Sequence, residues 1–488
     1  MSVISILLLI NYIICALAVV NMIFISKKKP ERIIAWTLLL LVPFIGLFIY
    51  IIIGAGLSIF VKHMIKKYDF SSREYQKSID SQIKTLQESD EVKSYPNEYK
   101  DLILLNLKTS KSILSRNNDL EYFLDGQSAV EKLMEDIKNA KSSIHIEFYI
   151  YANDKIGKKM TKLLTEKAKE GVEVRLLYDA IGSISSTKIQ FRKLRKAGGK
   201  VSVFFPPFLN IKILNFKANY RNHRKICVID GKIAYTGGLN IRDDHLGREK
   251  RLSPWRDTTV RVTGGAVHSF QNIFLSDWRF ASKDTSSIKN YRNEKYFPSL
   301  SKENVDTKIP IQVLTCGPDN FGEPIKECMI KMMLMAKKSI KIQSPYFVPD
   351  EYFVGAMKMA LLSGVEITLM IPKKIDHWYV HFASLSYVNE LLKFGLKVQI
   401  YDGFIHSKVL LVDDEFLTLG SCNIDIRSFS LNFEDNIVIY DNQKAVEYSK
   451  YFDDDLTHCK EYTEQTRKKK NIFSKMMISF CRLFSALL

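Results

Sequence analysis

The sequence predicts an α/β protein made of two copies of one unit, with one composite site between them, set behind two apolar N-terminal segments. Three observations predict it. A series of matching segments occurs twice in the same order, a pattern of His, Lys, Asp, Gly and Asn recurs at identical spacing in both copies, and residues 1–60 are dominated by two apolar runs. At 488 residues the chain exceeds the length at which one core usually stops growing, so more than one packed unit is expected.

The first apolar run, VISILLLINYIICALAVVNMIFI (residues 3–25), carries no charge and is long enough to cross a hydrocarbon core of about 30 Å. After SKKKPER comes a second run, residues 33–60, which contains Pro43 and Gly46 and is bounded by Lys62, Lys66 and Lys67. It reads as a second transmembrane segment, kinked or re-entrant. A cleaved signal peptide is the alternative; the lack of Lys or Arg ahead of the first run and the second run close behind argue against it. Lys27, Lys28, Lys29 and Arg32 on one side of the second run, and the lysines on its other side, both favour the cytoplasm. A plain hairpin cannot satisfy both and a re-entrant segment can. The expectation is a multi-pass cell-membrane protein, anchored by residues 1–68, with its catalytic part on the cytoplasmic face.

A net charge of +18 and a pI near 9.3 point to an anionic partner, nucleic acid or anionic lipid, and the apolar segments favour lipid. The seven cysteines show no paired spacing, which argues against a zinc site or a disulfide framework. Residues 69–110 are polar and charge-mixed, as in a helical connector or cap. From GQSAVEKLMEDIKNAKSSIHIEFYIY onward the pattern is helix then strand, with Ser128 and Glu131 at capping-box spacing.

That unit returns. AKSSIHIEFYI from Ala140 pairs with AKKSIKIQSPYF from Ala336, GVEVRLLYD from Gly171 with GVEITLMIP from Gly364, and AGGKVSVF from Ala197 with FGLKVQIY from Phe394. HRKICVIDGKIAYTGGLNI from His223 pairs with HSKVLLVDDEFLTLGSCNI from His406; an extra loop at 207–218 precedes the first. Strands alternating with helices in both copies predict layered halves over 111–300 and 301–460.

Within each copy the spacing is the same: His223, Lys225, Asp230, Gly237, Asn240, and His406, Lys408, Asp413, Gly420, Asn423. On a strand, His and Lys at i and i+2 share a face, opposite to Ile226, Val228 and Leu410 in this reading. A lone strand histidine is usually structural; duplication of the whole spacing argues for a shared site. Two imidazoles suit phosphoryl chemistry, one attacking phosphorus while the other donates to the leaving oxygen. Lys225, Lys408, Asn240 and Asn423 supply charge and donors to the nonbridging oxygens. No carboxylate cluster suits Mg²⁺ or Ca²⁺, so neither a catalytic metal nor a cofactor is expected. Asp257 in WRDTTVRV and Glu434 in LNFEDNIVIY, each shortly after a motif, are candidates to hold the second ring nitrogen of a histidine. Asp230 stands in an Asp-Gly turn and Asp413 in Asp-Asp. Each is expected to support the hairpin and its own motif's lysine more than to touch substrate.

His-x-Lys-x4-Asp followed by Gly-x2-Asn, twice in one chain, resembles the phospholipase D superfamily over roughly residues 110–460. NYRNHRKICVIDG, WRDTTVRVTGGAVHSFQNIFLSDW, IQSPYFVPDE, GFIHSKVLLVDDE, RSFSLNFE and the membrane stretch PERIIAWTLLLLVPFIGLFIYIIIG resemble bacterial cardiolipin synthases more closely. The resemblance implies two α-β-α sandwich halves and transfer of a phosphatidyl group between two phosphatidylglycerols, releasing glycerol and giving cardiolipin. It implies His223 as nucleophile and His406 as acid then base; the symmetry of the two motifs does not decide between them. NIRDDHLG after the first motif departs from the Gly-Asp-Glu-Tyr often found there and leaves acceptor choice open. The competing readings are a hydrolase of the same fold, lipase or nuclease, and a noncatalytic anionic-lipid-binding protein. The absence of aromatic-basic interleaving around the motifs adds to the case for lipid over nucleic acid. The C-terminal segment 461–488 has Ile472, Phe473, Met476, Met477, Phe480, Phe484 and Leu487 at helical spacing behind a basic run. This suits an interfacial helix or one packed on the domain. Oligomeric state is not legible.

Overall fold

The apolar N-terminus forms helix α1 (Val3–Val20), then α2 (Pro30–Leu40) and α3 (Ile45–Ile49) on either side of a break at residues 41–44. The computed structural model describes residues 2–20, 22–23, 30–50, 73–88, 99–206, 220–283, 293–299, 309–320, 322–483 and 485. Among them, only α1 is long and apolar enough to cross a membrane, and the described part of the second expected segment is broken at residues 41–44. The remainder of the 33–60 run, Lys62, Lys66 and Lys67 lie outside the described residues, as does the 207–218 loop. Pro43 accounts for the break: it has no N–H to donate and its ring crowds the preceding turn. Phe44 follows with φ 59°, and its N–H donates to Asn11 Oδ1 at 3.1 Å. A buried asparagine on an apolar helix thus satisfies a backbone donor that lipid cannot.

Helices α4 (Arg73–Glu88) and α5 (Lys100–Ser110) and the short strand β1 (Leu114–Ser115) follow. Tyr75, Ile79, Leu86, Leu102, Ile103 and Leu107 enter the main core of the second half, and β1 pairs with that half's sheet. The segment expected to be a polar connector is a structural part of the distant half; the apolar faces of two amphipathic helices need a core to cover them.

The first half runs β2 (Asn118–Phe123), α6 (Gly126–Asn139), β3 (Ser143–Phe148), α7 (Lys155–Lys169), β4 (Glu173–Asp179), α8 (Arg192–Lys196), β5 (Lys200–Phe204), β6 (Arg221–Asn222), β7 (Lys225–Ile229), β8 (Ile233–Gly237), β9 (Trp255–Arg256), β10 (Thr259–Gly264) and α9 (Ala266–Ser282). The cap of α6 is Asp125, whose side chain accepts from Ser128 N, in place of the expected Ser128. The second half runs β11 (Ile311–Cys316), α10 (Pro324–Met335), β12 (Ser339–Gln343), β13 (Phe347–Val348), α11 (Glu351–Leu362), β14 (Glu366–Pro372), α12 (Trp378–Leu391), β15 (Lys397–Tyr401), β16 (Phe404–Ile405), β17 (Val409–Val412), β18 (Phe416–Gly420), β19 (Ile424–Asp425), α13 (Ile426–Ser430), β20 (Asn432–Ile439), α14 (Asn442–Leu456) and β21 (Cys459–Glu461). Helices α15 (Glu464–Lys469) and α16 (Ile472–Arg482) close the described chain.

The repeat is exact in topology. One sheet has the order β2-β10-β8-β7-β3-β4-β5, and the other contains β11-β20-β18-β17-β12-β14-β15, with the same parallel and antiparallel neighbours. The sheets face each other across Ile226, Val228, Val260, Val262, Val409, Leu411, Leu417 and Ile437, with α9 and α14 at the edges of this shared core. Val409 and Leu411 therefore point between the halves, whereas Leu410 lies two residues from Lys408, on its side, within the outer core. Placing Leu410 opposite Lys408 was off by one residue of strand alternation.

The two motif aspartates end the β7 and β17 hairpin arms in turns with positive φ, 53° at Asp230 and 64° at Gly231, 52° at Asp413 and 56° at Asp414. Asp230 accepts from the backbone N–H of Lys141, Ser142 and Ser143 at 2.6–2.9 Å, and Asp413 from Lys337, Lys338 and Ser339, each at 2.7 Å. Each lies at the far end of the strand from its lysine and pins the start of the neighbouring strand, β3 or β12. Neither lines the cleft, so although both belong to the motif their role is structural, and the expected support of their own lysines is corrected to support of the neighbouring strand. Asp230→Ala should lower unfolding free energy by about 1–3 kcal/mol, since it strands several backbone donors. Chemical denaturation in detergent checks this, with activity per folded molecule retained.

Candidate active site

The two halves exchange their edges at the site. Strand β6 of the first half pairs in parallel with β20 of the second, and β16 of the second with β9 of the first. His223 N–H donates to Phe433 O at 2.9 Å and His406 N–H to Arg256 O at 2.6 Å. Each histidine is thereby set beside a carboxylate of the opposite half: His223 Nδ1 to Glu434 Oε2 at 2.8 Å, and His406 Nδ1 to Asp257 Oδ2 at 2.8 Å. The carboxylate that follows a motif in sequence thus serves the other motif's histidine. Gly237 and Gly420 allow this: a Cβ at either would come within 2.2 Å of a carbonyl on the adjacent strand that carries or follows the carboxylate.

Both carboxylates are buried and held ionised. Burial alone would raise them, but contact with the histidines and the nearby lysines keeps both below the usual range. Ser421 Oγ at 2.6 Å and Asn432 Nδ2 at 3.2 Å also donate to Glu434, and Thr258 N–H donates to Asp257 at 2.8 Å. Nδ1 of each histidine therefore carries the proton, leaving Nε2 as the basic atom. Burial, together with Lys225, lowers His223 to about 4; burial and Lys408 hold His406 well below its ordinary value. Both imidazoles are therefore neutral at pH 7.

Lys225 Nζ donates to His223 O at 2.6 Å and Lys408 Nζ to His406 O at 2.5 Å, so each lysine lies directly beneath its own histidine. Burial lowers Lys225 to about 8 and Lys408 to about 7. With both lysines charged, the two carboxylates balance them, and the floor is close to neutral.

A cavity of about 610 Å³ opens above this floor and is lined by His223, His406, Asn240 and Asn423. Asn240 Oδ1 accepts from Ile150 N–H at 3.1 Å; Asn423 Oδ1 has no partner among the described residues. The same cavity takes in residues that the motif spacing did not single out: Tyr149, edge-on to His223 at 4.7 Å, Arg221, Arg427, Asn432, Trp255 and His245. His245 packs edge-on to His406 at 5.0 Å and against Trp255 at 4.2 Å, in the stretch whose sequence departs from the usual pattern. A signal was present for the arginines: they stand two residues before one histidine and four after one asparagine, where the other copy has Phe404 and Asp244. His245, Asp257 and His406 bring three ligand-type atoms within 4.8 Å of one another. Two of those groups are already committed to the His406–Asp257 hydrogen bond, which orients a histidine for acid-base work.

Two opposed histidines, each oriented by a buried carboxylate over a pair of lysines, define a phosphodiester-transfer site of the phospholipase D type. A family described as "Cardiolipin synthase, PLD-like domain" matches residues 133–278 and 329–456, and "Phospholipase_D-nuclease N-terminal" matches 12–54. The chain is 40% identical to the cardiolipin synthase of Oceanobacillus iheyensis and 38% identical to the major cardiolipin synthase ClsA of Bacillus subtilis, with all of both chains covered in each case. The crystal structure of a phosphatidylserine synthase from Haemophilus influenzae shares the fold, with a TM-score of 0.60 at 15% identity over 80% of this chain and 98% of that one. The chain belongs to the cardiolipin synthase family, phosphatidyltransferases of the phospholipase D type.

An entering phosphate monoanion favours protonated neighbours, so its binding should draw protons from solution onto Lys408, Lys225 and one histidine. Calorimetric titration of dimethyl phosphate near pH 7 in buffers of different ionisation enthalpy should show net proton uptake. By the same sign, kcat/KM should fall as pH rises through about 7 to 8, where the two lysines lose charge.

Proposed function

We propose that the cleft transfers the phosphatidyl group of one phosphatidylglycerol to a hydroxyl of another, giving cardiolipin and free glycerol. The observation that carries this reading is the crossed pair of oriented histidines in a chain matching cardiolipin synthases over its full length. His223 Nε2 attacks phosphorus and forms a P–N bond; the P–O bond to the headgroup glycerol breaks, and that oxygen takes its proton from His406 Nε2. His406, now neutral, removes the proton of the acceptor's hydroxyl, whose oxygen attacks phosphorus as the P–N bond breaks. Lys225, Lys408, Asn240 and Asn423 stabilise charge on the nonbridging oxygens in both steps. Every step is reversible. Glu434 and Asp257 fix the tautomers and stabilise the imidazolium when it forms.

The proposed setting is a cell membrane rich in anionic lipid. Helix α1 spans it, the broken α2–α3 element re-enters from the cytoplasmic side, and the cleft faces the cytoplasm. Helix α16 takes both alternatives expected of it, one on each face. Ile478 and Cys481 are buried and Arg482 pairs with Glu390 at 2.6 Å, whereas Ile472, Phe473, Met476, Phe480 and Leu483 are more than half exposed. Phe484 and Leu487 lie outside the described residues. With Arg467, Lys468 and Lys469 in α15 just before it, the exposed stripe suits the headgroup region of an anionic bilayer.

Detergent-solubilised protein given phosphatidylglycerol alone should release cardiolipin and glycerol. His223→Ala and His406→Ala should each cut the rate by roughly 10³ or more. Phosphatidic acid as the main product would mark a hydrolase, and an adduct trapped on His406 in place of His223 would reverse the two roles. For α16, the double variant Phe473→Glu with Met476→Glu should lose several-fold more activity on vesicles of phosphatidylglycerol than on a soluble short-chain analogue. Equal loss on both substrates would mark the helix as packing alone.

A further inference from the structure

The two copies agree in every motif residue but hold their asparagines differently. Five residues after the motif asparagine stands His245 in the first copy and Ser428 in the second. Asn423 Oδ1 and Ser428 Oγ are both buried with no hydrogen-bond partner among the described residues, so Ser428 gives Asn423 no hold. Asn240 is held on both sides of its amide. Its Oδ1 accepts from Ile150 N–H at 3.1 Å, which turns Nδ2 toward His245 Nε2, 3.2 Å away.

The ring is built into its place. His245 is 3% exposed, in a short 3₁₀ turn (Asp243–Leu246), with Trp255 at 4.2 Å and His406 at 5.0 Å. Its carbonyl is pressed on the start of α6, where a Cβ at Gly126 would come within 2.0 Å of it. Burial holds the imidazole below its ordinary value, so the ring is neutral and carries one proton. It meets a donor of Asn240 at each nitrogen, the backbone N–H at Nδ1 (3.3 Å) and the amide at Nε2, and a neutral imidazole accepts at one nitrogen only. Asp257 decides which. It is ionised and its Oδ2 lies 3.8 Å from Nδ1, so it draws the ring proton to Nδ1 and leaves Nε2 to accept from the side chain of Asn240. In the second copy the equivalent carboxylate, Glu434, takes a hydroxyl from Ser421 at 2.6 Å; Gly238 stands in that place in the first copy, where a Cβ would come within 1.9 Å of Asp257 Oδ1. The imidazole thus belongs to the copy whose carboxylate lacks the serine.

An asparagine amide nitrogen carries two N–H groups. With one given to His245, the other is left in a fixed direction for the cleft that Asn240 lines. We propose that His245 is a positioning residue for the transfer: it holds Asn240 so that the second N–H meets a nonbridging oxygen of the reacting phosphate. This rests on the reading of the motif asparagines as donors to those oxygens.

The test is a double-mutant cycle on the full-length enzyme in mixed micelles. It is read as glycerol released from phosphatidylglycerol, which a hydrolase would also give, and as the inhibition constant of orthovanadate, a mimic of five-coordinate phosphorus. His245→Phe keeps a ring against Trp255 and loses both nitrogens. It should lower kcat by roughly ten- to a hundred-fold with KM within about two-fold, a part of the cost of removing such a donor outright. The vanadate constant should rise by a similar factor; it is read on active molecules alone, so partial misfolding does not move it. His245→Gln, whose amide oxygen can accept at the place of Nε2, should recover most of both losses. In Asn240→Ala, adding His245→Phe should cost less than about two-fold more, because its effect passes through the missing side chain. Losses that multiply in the double variant would overturn the positioning role, as would a vanadate constant unmoved in His245→Phe. An Asn240→Ala enzyme with wild-type rate and vanadate constant would instead remove the reading of Asn240 as a donor, and the role of His245 with it.

Discussion

Everything in the cleft depends on the crossing of histidine and carboxylate between the halves. Glu434 orients His223 and Asp257 orients His406, so neither histidine has its tautomer set by its own copy. A single half would present an unheld imidazole, a buried lysine and a carboxylate without its partner, each expensive to bury alone. The apolar sheet-to-sheet core of Ile226, Val228, Val409 and Leu411 is the scaffold for that exchange, because it sets the distance at which β6 reaches β20 and β16 reaches β9. The covalent continuity of the two copies keeps the pair together.

The same crossing settles the charge state. Two lysines and two carboxylates cancel at the floor, which lets both imidazoles stay neutral under burial. A phosphodiester brings one negative charge into this balance, and the proton that restores it belongs on the histidine facing the leaving oxygen. Acid and nucleophile are thus made from two equivalent groups by the substrate's arrival. In the proposed reaction the exchange of roles between the steps then needs no rearrangement of the protein, only passage of one proton through one of the two histidines.

The duplicated plan was legible in the sequence because a repeat is a long-range pattern that needs no packing to be seen. The two layered halves, the placing of both histidines in one cleft and the hairpin position of Asp230 and Asp413 all follow from it. What the sequence did not disclose depends on register between chain segments far apart. Asp230 and Asp413 bind the start of a neighbouring strand in place of supporting their lysines, about 90 residues away in one case and 75 in the other. The carboxylates cross because β6 and β16 leave their own sheets' edges, which no local spacing encodes. Residues 69–110 read as a connector or cap because their apolar faces are thin, yet the faces of α4 and α5 complete the second half's core.

The walls explain why duplication was followed by divergence in only some places. A transfer with a covalent intermediate needs near-identical chemistry on both sides of phosphorus, since the group that protonates one oxygen must deprotonate the next, and this keeps His, Lys, Asn and carboxylate the same in both copies. The ligands on the two sides of the glycerol bridge are not alike: one end is the reacting hydroxyl and the other a charged diester. Under the proposed reaction, a symmetric cleft would bind an acceptor equally well in two directions, only one of them productive. The walls of the cleft are correspondingly unlike, with Arg221, Arg427 and Asn432 lining it from one set of positions and Trp255 and Asp244 from the equivalent ones. The chemistry common to both copies and the differences between their walls are thus separable in the sequence, as expected of a fold on which function is set by the site rather than by the scaffold.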